Sequence, residues 1–218
     1  MSTLLGTSPD CSFSFISYDS IKITYQPKMT ARTHDLCAFA CLATAAALFP
    51  PAMISLPTLM TSLVGNIVGG LIPDMDQASN KLYDLLPGSD FTGKIIGKIF
   101  MGHRNISHSL LGGYLLYKLL EFVLPRLFNT QYVDPHVLLI SIMLGFASHL
   151  LADSITREGI PLFFPFSIKV GFPPFKFMRV TTDSWVEHLV VLPSVVVYTA
   201  SIFYYHQSEF FTLLTHLK

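Results

Sequence analysis

The chain has 218 residues, of which 51% are hydrophobic and only 13% charged, against about 25% charged in ordinary soluble domains. Mean hydropathy is +0.51, the formal net charge is zero and the sequence pI is about 7.1. These values exclude a disordered chain, a collagen-like repeat, a secreted disulfide scaffold and a basic nucleic-acid-binding surface, and they predict an integral membrane protein.

Residues 1–28 are polar, Ser/Thr-rich and aperiodic. They lack the basic start and apolar core of a secretory signal, and are expected to form a weakly ordered tail ahead of a membrane-embedded domain over 29–218. Met29 opens the more coherent part of the sequence and is a candidate functional start. Five apolar stretches follow, predicting an all-α, polytopic helical bundle with about five transmembrane helices. The first runs from about Ala31 to Phe49 and stops at Pro50-Pro51. Its uninterrupted apolar part, from Leu36, is short enough for a re-entrant segment. The second, Ala52 to Ile72, carries Gly65, Gly69 and Gly70 at spacings that allow close helix approach. A short amphipathic helix lying on the membrane is expected over Phe91–Met101, with Phe91, Ile95, Ile99 and Phe100 set against Lys94 and Lys98. The third, fourth and fifth stretches run from about Ser107 to Phe128, Val133 to Leu151 and Trp185 to Tyr205. Between the last two, 161–175 is too proline-rich for a helix, and its phenylalanines suit either the membrane interface or a lip that receives a lipid tail.

With five spans, Lys22, Lys28, Arg32, Lys81, Lys94, Lys98, Arg104, Arg157, Lys169, Lys176 and Arg179 share one side, while Arg126 and Lys218 lie on the other. The positive-inside rule therefore puts the N-terminus in the cytoplasm and the C-terminus outside.

On that map the histidines and acids gather at one membrane face. His34 enters the first segment, and Asp74 and Asp76 leave the second. His103, Arg104 and His108 open the third, His149 and Asp153 close the fourth, and Glu187 and His188 open the fifth. Imidazole and carboxylate together suit zinc or manganese. His149 and Asp153, four apart, project from one helix face. His103 joins His108 only from the loop before the helix. Arg104 offers a fork suited to phosphate, and Glu187 could serve as a further ligand or general base. Taken singly these are ordinary caps, loop acids and structural pairs. Taken together, ionisable groups beside hydrocarbon point to function. His136, His206 and His216 fall on the other side. Cys11, Cys37 and Cys41 read as buried thiols, since no further sulfur is near the Cys37/Cys41 pair.

Four motifs in order are Met29-Thr-Ala-x-x-His34, Leu71-Ile-Pro-Asp-Met-Asp76, Gly102-His-Arg-x-x-Ser-His-Ser-Leu110 and Gly145-x3-His149-x3-Asp153-x2-Thr156-x2-Gly159, the last continuing into Pro161-Leu-Phe-Phe-Pro-Phe166. They resemble the YdjM-type family, described as LexA-regulated, inner-membrane, metal-dependent hydrolases of bacteria. The resemblance spans Met29 to about Glu187; Ser107 stands where the family often has Thr, and residues 1–28 have no counterpart. The family is in turn similar, distantly, to zinc-dependent phospholipase C and to zinc nucleases that cut single strands. That resemblance implies His34, Asp74, His108, His149 and Asp153 as metal ligands and phosphoester hydrolysis as the activity.

The expected function is a membrane-bound hydrolase using a divalent metal, zinc or manganese, on a lipid or lipid-linked phosphoester at the cytoplasmic face of a bacterial inner membrane. Asp74, Asp76 or Glu187 would orient water and Arg104 would neutralise phosphoryl charge. The alternatives are a metal or proton transporter, whose ligands belong near mid-membrane, and a non-catalytic metal-binding membrane protein. An intramembrane metalloprotease is disfavoured by the absence of His-Glu-x2-His.

Overall fold

Local sequence sets each helix boundary. The computed structural model describes residues 31–51, 53–76, 106–166, 168–215 and 217. The expected tail over 1–28, the amphipathic helix over 91–101 and the side chains of His103, Arg104 and Asp76 lie outside the described residues. Helix α1 (Ala31–Leu48) ends before Pro50-Pro51. Helix α2 (Leu56–Leu71) starts later than Ala52, because Ser55 caps it by accepting from the Thr58 amide at 3.2 Å and Pro57 occupies its first turn. It tightens into a 3-10 turn over Ile72–Asp76. Ser109 caps α3 (Leu110–Leu127) by accepting from Gly112 N, which leaves His108 in the turn ahead of the helix. Asp134 caps α4 (Pro135–Ser154), accepting from the amides of His136 and Val137. A π-helical turn over Glu187–Val191 leads into α5 (Leu192–Tyr205). A further short helix, α6 (Gln207–Thr215), follows the fifth apolar stretch; the sequence reading did not separate it.

Helix α4 is the hub, packed by α1, α2 and α3, with α5 laid against α1. The α2–α4 contact brings backbone against backbone. A Cβ on Gly69 would run into the carbonyl of Ile142, and one on Gly145 into the carbonyl of Asn66. Buried Thr58, Ser62, Asn66 and Ser141 line this interface, and Asn66 Nδ2 donates to Ser141 O at 3.1 Å. The apolar core is Leu124, Val133, Leu138, Leu139 and Ile142, with Phe146, Leu150 and Ile160 nearer the end that carries Asp153.

Large apolar side chains also cover the outside. Leu111, Tyr114, Leu115, Leu119 and Phe122 on α3, and Val196, Val197 and Tyr204 on α5, are exposed, as a surface solvated by lipid requires. Among the described residues three helical stretches are long and apolar enough to cross a membrane: Leu56–Asp74, Pro135–Ser154 and Glu187–Tyr205. The other two expected spans fall short of that measure. α1 is polar in its first turns, at Arg32, Thr33, His34 and Asp35. α3 carries Arg126 and the exposed Lys118–Glu121 pair, 2.7 Å apart.

The segment after α4 is an ordered loop. Ile160 and Val170 pair as an antiparallel bridge, and Thr156 and Val180 as a parallel one. Gly159 takes φ of 65°, where a Cβ would also press on the Val170 carbonyl. Arg179 is buried, and its guanidinium donates to the carbonyls of Pro173 at 2.6 Å, Gly171 at 2.8 Å and Pro174 at 3.0 Å. Held this way, the loop turns Phe163, Phe166, Phe172, Phe175 and Phe177 outward.

Candidate metal centre

Five side chains from four segments converge at one end of the bundle. His34 comes from the first turn of α1, Asp74 from the 3-10 turn after α2, and His108 from the turn before α3. His149 and Asp153 come from the last two turns of α4. That their positions alternate between helix starts and helix ends shows that successive helices α1 to α4 run antiparallel.

Asp153 is the focus. Its Oδ1 lies 3.4 Å from His34 Nε2, and its Oδ2 lies 3.5 Å from His108 Nε2 and 3.6 Å from His149 Nε2. Asp74 Oδ1 stands 3.7 Å from His108 Nε2 and 3.8 Å from His149 Nε2. The ligand-type atoms of His34, His149 and Asp153 lie within 4.8 Å of one another, as do those of Asp74, His108 and His149. The His34 and His149 rings stack at 4.1 Å with 16° between planes. The three histidines are buried, whereas the side chains of Asp153 and Asp74 keep 20% and 26% of their surface open. The carboxylates therefore form the mouth and the imidazoles the floor.

These separations exceed the 2.7–3.2 Å of a good hydrogen bond. They approach the roughly 3.3 Å expected between two corners of a tetrahedron whose ligands sit about 2.0–2.1 Å from a zinc ion. His149 Nε2, the atom that faces Asp74 and Asp153, is buried with no partner within hydrogen-bond distance. An orphaned buried nitrogen is costly. Polar atoms that surround a common point without bonding one another fit a divalent cation, and imidazole with carboxylate is a suitable donor set. Ser107 Oγ, 3.0 Å from His108 Nδ1, orients that ring so that Nε2 faces the cluster.

Glu187 is fully buried in the π-turn before α5. Its Oε1 accepts from Thr33 Oγ1 at 2.9 Å, and its Oε2 accepts from the amide of Asp183 at 2.8 Å. Asp183 reaches that position with φ of 54°. Glu187 thus ties the start of the fifth stretch to the residue before His34, and it belongs to neither convergent group. Thr33 was not singled out from sequence, and the only signal for it is adjacency to His34; Ser107 stood out only as a motif position, with no role assigned. His188 is exposed and pairs with Asp183 at 3.2 Å. His206 faces Glu209 at 3.8 Å. Cys37 and Cys41 are free thiols, partly buried.

The sequence model for YdjM inner membrane proteins matches residues 29–214. The uncharacterized protein YvsG of Bacillus subtilis is 34% identical over 136 residues, covering 62% of this chain and 72% of YvsG. The inner membrane protein YdjM of Escherichia coli is 32% identical over 142 residues, covering 63% of this chain and 66% of the relative, and the YdjM of Shigella flexneri matches to the same extent. No solved structure matches. The match over 29–214 takes in the four helices and turns that carry His34, Asp74, His108, His149 and Asp153, and the chain belongs to the family of YdjM inner membrane proteins.

Proposed function

We propose that this membrane protein is a metal-dependent hydrolase of a phosphoester, lipid or lipid-linked, working at the cytoplasmic face of the inner membrane with its N-terminus inside. The observation that carries the reading is the convergence of His34, Asp74, His108, His149 and Asp153 at 3.4–3.8 Å around the buried, unpartnered Nε2 of His149. The eleven-to-two distribution of cations in the loops and at the helix ends supports the orientation.

His34, His108 and His149 with Asp74 and Asp153 would hold the ion. A divalent ion there supplies Lewis acidity and a nucleophile at neutral pH by acidifying water. Asp74 and Asp153, the partly open members, orient water and substrate at the mouth. Glu187 holds His34 in place through Thr33; its two engaged oxygens favour positioning over the general-base role. Asp76, His103 and Arg104 follow in the same motifs, and Arg104 is assigned to phosphoryl charge. A transporter reading is less well served, because the ligands stand at helix ends.

The test is metal analysis of detergent-purified protein, followed by turnover of soluble and lipid phosphoesters. Zinc or manganese near stoichiometry with metal-dependent phosphate release is expected. Metal-free protein after exposure to both ions would overturn the reading, and full loading with no turnover across the panel would leave a non-catalytic metal protein.

A further inference from the structure

Helix α3 crosses the same thickness as its neighbours. The stretch through α2 ends at the cluster with Asp74, which lies 3.7 Å from His108 just ahead of α3, and α4 returns to the cluster with Asp153. Leu56–Asp74 and Pro135–Ser154 are each long and apolar enough to span, so the chain must cross back between them, and α3 is the helix that does so. At about 1.5 Å per residue its 18 residues measure about 27 Å. Lys118 and Glu121 lie about 12 and 17 Å from its start, on either side of the middle. The helix packs on α4 and the core through Gly113, Leu116, Leu120 and Leu124. Its other face presents Leu111, Tyr114, Leu115, Lys118, Glu121 and Phe122, all exposed, at steps of three and four residues. In α1, α2, α4 and α5 charged side chains stand only near helix ends, at Arg32, Asp35 and Asp153.

We infer that α3 pairs with α3 of a second copy of this chain, across a two-fold axis along the membrane normal, with Lys118 of each copy against Glu121 of the other. Three observations carry the inference. Lys118 Nζ donates to Glu121 Oε2 at 2.7 Å and Tyr117 Oη to Glu121 Oε1 at 3.4 Å, yet the ammonium has three donors and surrounding alkyl chains accept none of them. Charged groups inside a span ordinarily face other helices, and lysines that escape to the headgroups do so from helix ends, not from the middle. The face is also self-complementary: cation and anion stand one turn apart, so two parallel copies close two reciprocal pairs, as a two-fold interface demands. Finally, Leu111, Lys118 and Pro125 recur every seven residues, as do Tyr114 and Glu121, which is the spacing of a parallel helix seam whose polar positions fix the register. The one-sided distribution of cations gives both copies the same orientation, and that sets the axis along the normal. The pairing uses no residue of the His/Asp cluster and stands apart from the hydrolase reading.

The full chain, carrying a fluorophore at its C-terminus, is reconstituted at low density in vesicles of phosphatidylethanolamine and phosphatidylglycerol, and bleaching steps per particle are counted. Two-step particles are expected to dominate. In a background of Cys11→Ser, Cys37→Ser and Cys41→Ser, oxidation should join copies through Leu111→Cys or Tyr114→Cys and not through Val197→Cys on the exposed face of α5. Lys118→Glu and Glu121→Lys should each weaken pairing by at least about tenfold, because like charges then meet. Mixing the two variants should restore it, which a folding defect would not allow. Single-step particles at every density, cross-links that favour Val197→Cys, or pairs indifferent to both charge reversals would each overturn the proposal, the first of them by leaving a different membrane protein as the cover of α3.

Discussion

Replacing Asp153 by Asn keeps the size of the side chain and removes the one charge that lies within 3.6 Å of three histidines. If the cluster holds an ion, the substitution strips a charged ligand, whereas alterations one shell further out already cost about 10- to 100-fold in affinity. The consequence can be read as stability. With free metal at 100 times Kd, binding stabilises the folded form by about 2.7 kcal/mol. For a chain of this size that corresponds to roughly 5–11 °C in Tm, at about 2–4 °C per kcal/mol. A 100-fold weaker Asp153→Asn variant retains only about 0.4 kcal/mol at the same metal concentration. Thermal unfolding in one detergent, with added zinc or with chelator, should therefore show a large metal-dependent shift in the parent and almost none in Asp153→Asn. Equal shifts in both proteins, with unchanged helical circular dichroism, would refute the assignment of Asp153 as a ligand. Absence of a shift in the parent would refute the metal centre.

Arg104→Ala should retain metal and lose hydrolysis by about 10- to 150-fold, the equivalent of a charge-assisted hydrogen bond of roughly 1.5–3 kcal/mol; Arg104→Lys should recover part of it, and unchanged turnover per metal-loaded molecule would remove Arg104 from the site. Glu187→Gln keeps an acceptor for Thr33 or for the Asp183 amide, so metal affinity should fall by about tenfold with no change in the pH dependence of kcat; a lost acidic limb in that profile would restore the general-base role. Gly145→Leu forces a side chain against the Asn66 carbonyl and should cost at least about 1–3 kcal/mol, seen as a lower unfolding midpoint in denaturing detergent. A reporter active only outside the cytoplasm should be active after Lys218 and silent near Gly88 or Gly171; the reverse pattern would invert the orientation.

What could be read from sequence was whatever periodicity and hydropathy encode. The His149/Asp153 spacing placed both groups on one helix face, and the apolar stretches located α1 to α5 within a few residues. Boundaries shifted where capping decided them. Ser55 and Ser109 delay α2 and α3, and the second delay puts His108 in a turn from which it can face Asp153 and Asp74. The roles of Glu187 and Arg179 could not be read in this way. Their partners, Thr33 and the carbonyls of Gly171, Pro173 and Pro174, are set by chain folding rather than by repeat. As a cation near the membrane Arg179 counts toward topology, and nothing local announces that its guanidinium is buried in a loop.

The dispersal of the cluster along the chain has a consequence for biogenesis. Its members stand at positions 34, 74, 108, 149 and 153, and the buttress at 187 follows more than thirty residues after the last of them. A ribosome delivers these segments in order, so no early portion of the chain carries the full donor set. On the metal reading, ion capture by the complete set would await insertion of the fourth helix, and the brace on His34 awaits the fifth stretch. If the cluster holds an ion, a polypeptide stalled or cleaved before Asp153 would lack part of the donor set, and acquisition of the ion would report assembly of the first four helices.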